Sequence, residues 1–287
     1  MSLQPYIIIE SAKPSVARMP LVVDSPHSGR IYPADFAYSC PLPLLRQTED
    51  SYVDELVAGA VEAGAAVVMA EFPRSYIDLN RAEDDIDPAV LAEPWPHPLA
   101  PSDRTVQGLG LVRRLCKSSV AVYAAPLSVA EVQKRIEHFY RPYHAALEKM
   151  IATRHAKFGE CYLINAHSMP GQGSGDTLRR PDFVLGDRLG TSCDPSFTRR
   201  ARDILQDMGY NVALNDPYMG VEIVRRYGQP QKGQHALQLE INRQLYMNEQ
   251  TLERHSGFES LQEDLTAFFQ QLVGELMGAM PGQMAAE

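Results

Sequence analysis

Basic excess, paired cysteines and long apolar runs are all missing from this chain of 287 residues. Lys and Arg number 27 against 36 Asp and Glu, a formal charge of −9, so there is no broad positive field for nucleic acid. Anions must then be held by local arginines. The four cysteines, Cys40, Cys116, Cys161 and Cys193, lie far apart with no Cys-x-x-Cys pair. That excludes a thiolate-built zinc site and a disulfide framework, and it fits a reducing compartment. The start, Met1-Ser-Leu-Gln-Pro5, lacks the basic and then apolar segments of a signal peptide. No stretch reaches the length needed to span a bilayer. The expectation is a cytoplasmic protein with neither a membrane nor a nucleic-acid partner; the oligomeric state is not legible.

What is present is a soluble, core-forming composition, 45% hydrophobic and 22% charged. It is enough for one catalytic domain over 1–287, with a disordered tail expected from about 281. Short apolar runs predict strands at Leu21–Val23, Ala65–Ala70, Val120–Ala125, Val212–Leu214 and Ala236–Ile241, with a central one from Cys161. Helical spacing predicts helices over Thr48–Gly64, Phe197–Met208 and Asn248–Met277. A longer one, Ser128–Phe158, should kink at Pro142. The acid- and proline-rich stretch Glu83–Asp103 reads as a surface excursion. Strands alternating with helices place the chain in the α/β class.

Two of these strands end in histidine: Asp24-Ser-Pro-His27-Ser-Gly29 and Asn165-Ala-His167-Ser-Met169. Ligands gather at the carboxyl ends of strands in open α/β sheets. Two imidazoles and the Asp50 carboxylate, with water, make the ligand set of a catalytic zinc site with an open position. Each has a plainer reading: His167 can cap its strand, and Asp50 can cap the helix that follows it. Glu240 shares a strand face with Gln238 inside an apolar run, where a carboxylate is costly unless it is paired or functional. It is either a proton shuttle beside a metal or the partner of Arg243. Asn80-Arg81 offers a forked donor pair for a carboxylate, or Arg81 is neutralised by Asp78 or by Glu83-Asp84-Asp85.

Ser25-Pro-His27-Ser-Gly29, Asp78-Leu-Asn80-Arg81, Asn165-Ala-His167-Ser-Met169 and Gln238-Leu-Glu240-Ile-Asn-Arg243, with Gly-Gln-His235 also in place, form an ordered set. They resemble the N-formylglutamate amidohydrolase (N-formylglutamate deformylase) family of histidine degradation, from about Val22 to Tyr246. That family is related to the zinc carboxypeptidases and aspartoacylases. The resemblance implies a three-layer α/β sandwich of the phosphorylase/hydrolase-like type, with a mixed, largely parallel central sheet. It implies one zinc per chain on His27 and His167, Glu240 as the base, and Asn80-Arg81 holding substrate carboxylate. The wider superfamily places a glutamate three residues after the first histidine, where this chain has Arg30. The acidic ligand is therefore assigned to Asp50, with Glu49 second. Gln238, Arg179, Arg180 and Arg226 are further candidates for substrate contact.

The expected reaction is zinc-dependent hydrolysis of N-formyl-L-glutamate, a small anionic N-acyl amino acid. The alternatives are a hydrolase for another acyl group, a zinc carboxypeptidase, or a non-catalytic module that binds acidic amino acids.

Overall fold

Cys161–Met169, the central strand β4 of the sheet, is buried along its whole length. Strands covered on both faces read as continuous apolar runs, which is why Cys161 to Ile164 shows no alternation. The computed structural model describes residues 4–13, 15–116, 119–172 and 179–279. The tail expected from about 281 lies outside them.

Seven strands, Tyr6–Ile9 (β1), Leu21–Ser25 (β2), Ala66–Ala70 (β3), β4, Phe183–Gly186 (β5), Val212–Leu214 (β6) and Gln234–Asn242 (β7), run in the order β1-β3-β2-β4-β7-β5-β6. β2 and β7 flank β4 in parallel, and β6 is parallel to β5. β5 joins β7 antiparallel, so the sheet is mixed and the α/β expectation stands. By its contacts the chain divides into two compact units. One comprises Met1–Ile7, Pro26–Ser51 and Met69–Leu147. The other comprises Ile8–Ser25, Tyr52–Val68 and Glu148–Glu287. The second carries β2, β4, β5, β6 and β7, with the helices Pro195–Asp207 and Gly257–Ala279. Pro195–Asp207 starts where the Asp194 side chain accepts from the Ser196 N–H, an N-cap that relieves one orphan donor. No described helix is long and apolar enough to cross a membrane.

Several expected elements differ. Val120–Ala125 makes no strand; Ala121 forms an isolated bridge with Leu115, and Val122 pairs its N–H with the Arg114 carbonyl. The helix expected from Thr48 begins at Val53, after Tyr52 in a left-handed conformation (φ 66°), and turns into a 3-10 helix at Ala58. Asp50 therefore caps nothing. At the C-terminus Asn248 folds a turn, its Oδ1 accepting from the Gln250 and Thr251 N–H groups, and the helix starts nine residues later at Gly257. β1 and β5 have no counterpart among the expected strands.

Pro142 produces a π turn rather than a kink. Regular helix runs over Val129–Arg135, a π turn over Ile136–Tyr140, and regular helix again over Arg141–Phe158. The Arg141 N–H reaches back to the Ile136 carbonyl, a bond one residue longer than the α pattern, just ahead of the proline that lacks an N–H. Arg135, Phe139, Tyr143, Leu147 and Ile151 are buried at four-residue spacing. On a regular helix that spacing drifts by about 40° a step. The extra residue in the π turn takes up much of the drift.

Candidate active site

The carboxyl ends of β4 and β7 form a polar patch on an otherwise apolar sheet. Side chains alternate along a strand, so Asn165 and His167 share a face of β4, and Gln238 and Glu240 share a face of β7. The parallel register sets Asn165 beside Gln238 and His167 beside Glu240. Asn165 donates its Nδ2 to both Asp24 oxygens, at 3.1 and 3.2 Å, which turns its Oδ1 toward His167. The His167 Nε2–H donates to that Oδ1 at 2.9 Å. This chain of bonds assigns the proton to Nε2 and leaves the lone pair on Nδ1. The buried Glu240 accepts from Gln238 Nε2 at 2.8 Å, and Gln238 in turn accepts from the Val221 N–H at 3.2 Å. Arg243, the residue expected to compete for Glu240, donates its Nε to Ser168 Oγ at 2.9 Å.

His27 belongs to the other unit, in the loop after β2. Gly29 lets that loop lie against the Glu71–Phe72 backbone, because a Cβ there would come within 2.3 Å of the Phe72 carbonyl oxygen. The Asp50 N–H donates to the His27 carbonyl at 3.1 Å, which ties the two segments together. The His27 Nε2–H donates to Asp78 Oδ1 at 2.7 Å, while Nδ1 lies 3.3 Å from Asp50 Oδ2. The ligand atoms of His27, Asp50 and His167, all buried, lie within 4.8 Å of one another.

This donor set fits a divalent cation. Two bonds of about 2.0–2.2 Å at a tetrahedral angle put their donor atoms about 3.3–3.6 Å apart, which matches the His27–Asp50 spacing. Each imidazole presents Nδ1 and has its Nε2–H held by an acceptor, the arrangement that orients metal-binding histidines. Glu49 is also buried, but it accepts from the Tyr32 hydroxyl and lies 3.9 Å from Arg46 Nε; the candidate group contains Asp50 and not Glu49.

Around Asp78, in the unit that holds His27, three arginines gather. Arg74 donates Nη2 and Nε to Asp78 Oδ2 at 2.8 and 3.2 Å, and its Nη1 lies 3.7 Å from Asp50 Oδ1. Arg113 Nη2 lies 3.6 Å from Asp78 Oδ2. The Asn80 N–H donates to Oδ1 at 3.0 Å and the Arg81 N–H to the Asp78 carbonyl at 3.2 Å. Burial disfavours the Asp78 charge, yet Arg74 and then His27 overcome this and hold the carboxyl well below the usual carboxylate range. Burial pushes the Arg81 guanidinium down as well, and that of Arg113 down to about 9. The backbone on either side of Asn80 is held by two buried side chains. Tyr140 donates its hydroxyl to the Arg81 carbonyl at 2.8 Å, and His144 its Nε2–H to the Leu79 carbonyl at 3.0 Å.

The remaining expected residues sit elsewhere. Arg180 donates to the Tyr218 hydroxyl at 2.6 Å. Arg179 is exposed and pairs with Asp182. Arg226 is exposed, over the Tyr227 ring. His235 stacks on Tyr162 and accepts from the Asp194 N–H, a structural role. Arg74 and Arg113 escaped the sequence reading. Arg74 stands four residues before Asp78, a spacing that hints at pairing, whereas nothing local marks Arg113.

A family model for N-formylglutamate amidohydrolase matches residues 19–247. The chain is 33% identical over 239 residues to an N-formylglutamate deformylase of Pseudomonas aeruginosa, covering 81% of this chain and 84% of that one. It is 31% identical over 277 residues to one of Pseudomonas putida, covering 91% and 93%. Among solved structures it resembles an N-formylglutamate amidohydrolase from Ralstonia eutropha JMP134, with 42% identity, a TM-score of 0.91 and coverage of 96% and 99%. The matched span runs from before His27 to beyond Arg243, so every residue of the two clusters falls inside it. This chain belongs to the N-formylglutamate amidohydrolase family.

Proposed function

We propose that the chain hydrolyses N-formyl-L-glutamate to formate and L-glutamate, with one zinc ion held by His27, Asp50 and His167. The observation that carries this reading is the buried His-Asp-His group in a chain of this family. When bound, zinc would supply Lewis acidity for the formyl carbonyl and lower the pKa of water toward neutrality. Glu240, one strand over from His167, takes the proton of the attacking water and returns it to the departing amine nitrogen. Gln238 holds the Glu240 carboxylate in position through its 2.8 Å hydrogen bond. Asn80 and Arg81 hold a carboxylate of the substrate, since the planar fork of arginine matches that shape. The place of such a reaction is histidine degradation, in the cytoplasm.

The test is formate release by zinc-loaded protein over a panel of N-formyl amino acids. N-formylglutamate should be cleaved fastest, and N-formylglutamine and N-formylleucine far more slowly. N-formylaspartate falls between, its carboxylate one methylene short. Indifference to the side-chain carboxylate would replace this reading with a general N-acyl hydrolase.

A further inference from the structure

Arg113 is buried, and its Nε has no hydrogen-bond partner; the buried Nε of Arg81 is in the same condition. A guanidinium removed from water without its hydrogen bonds is costly. Asp78 does not meet the need of Arg113. Its Oδ2 takes two donors from Arg74, and Arg113 Nη2 stands off at 3.6 Å, beyond ordinary hydrogen-bond length. Asp85, the next acid, accepts instead from the Ser102 N–H and hydroxyl and from the Thr105 hydroxyl. Arg74, Arg81 and Arg113 thus set three positive charges against Asp78 and Asp50, and Asp50 is the proposed metal ligand.

We propose that Arg113 is a substrate anchor, and that the guanidiniums of Arg113 and Arg81 take the two carboxylates of the substrate, one each. The inference rests on the N-formylglutamate reading and adds the residue that makes the site selective for a dicarboxylate. The two Nε groups point to bidentate recognition, because Nε and one Nη form the side of the fork that a carboxylate fits. A buried cationic site of this kind is complementary to a second negative charge and excludes a neutral side chain.

The experiment compares wild type with Arg113→Gln and Arg113→Lys on N-formylglutamate and on its two mono-amides, one neutral at the α-carboxyl and one at the side chain. The expected result is a KM for the diacid raised by roughly 30-fold or more in both variants. For one mono-amide, the one lacking the carboxylate that Arg113 holds, the variants should match wild type. Guanidinium ion in solution should partly restore diacid cleavage by Arg113→Ala. An equal loss on all three substrates, or unchanged ratios among them, would overturn the proposal. Calorimetric binding of glutarate to the three proteins separates this failure from failure of the reaction assigned above. If no N-formyl compound is cleaved, weakened glutarate binding in the Arg113 variants still supports the anchor. Unweakened or absent glutarate binding in that case overturns it.

Discussion

Asp78 Oδ1 accepts a 2.7 Å hydrogen bond from His27 Nε2, with both side chains buried. The carboxylate fixes which imidazole nitrogen faces Asp50 and makes that nitrogen more basic. Asp78→Asn should keep the fold and lower metal affinity by roughly 10–100-fold. Competition with a chelator of known affinity measures it. Undiminished affinity would leave Asp78 as a partner of Arg74 alone.

Elemental analysis tests the ligand set directly. Wild type should hold about one zinc per chain, and His27→Ala and His167→Ala should lose it. Asp50→Ala should lose most of it, while Glu49→Ala keeps a full complement. The reverse outcome for the two acids would move the acidic ligand to Glu49.

Glu240→Gln preserves shape and the contact with Gln238 while removing the base. It should retain zinc and thermal stability and lower kcat by roughly 100-fold or more. Near-normal kcat at saturating substrate would assign Glu240 to structure.

Arg81→Lys should impair hydrolysis of N-formylglutamate almost as severely as Arg81→Ala, because an ammonium cannot reproduce the fork. The comparison is of kcat/KM in both variants. A lysine variant close to wild type would mean that charge alone, without bidentate geometry, satisfies the substrate.

Burial pushes the Cys161 and Cys193 thiols up to about 12. At pH 8 both should resist a thiol reagent in the native protein and react on unfolding. Unfolded thiols ionise near 9, so the folded state binds these protons over a range where the unfolded state has released them. The stability they contribute is complete below pH 9 and falls as pH rises from 9 toward 12. Denaturant titrations at pH 8 and pH 10.5 should show that loss, and replacing both cysteines by alanine should reduce it.

What could be read in the sequence was whatever sits next to its own signal. His27 and His167 each follow an apolar strand within a few residues, and Glu240 interrupts one, so all three were legible. Asp50 was less so, because its local context Thr48-Glu-Asp-Ser reads as a helix start, whereas the helix waits for Tyr52 to turn through a left-handed conformation. Asn248 misled in the same way: its side chain can satisfy N–H groups in a turn as readily as at a helix end. β5 is four residues between polar, glycine-rich flanks, and what makes it a strand is its pairing with β7 and β6. Arg113 was invisible because its meaning comes from Asp78, 35 positions away.

The π turn at Ile136–Tyr140 also bears on how this stretch of chain can vary. Removing one residue there would restore an unbroken α-helix, a local improvement in hydrogen bonding. It would also rotate everything beyond by about 100° relative to Val129–Arg135. Tyr140 and His144, which grip the backbone on either side of Asn80, could then no longer both keep their hold while Arg135 stays buried. A single-residue deletion in this helix should therefore be tolerated far worse than one in an exposed loop of equal length, even though it would leave the chain's helical content intact.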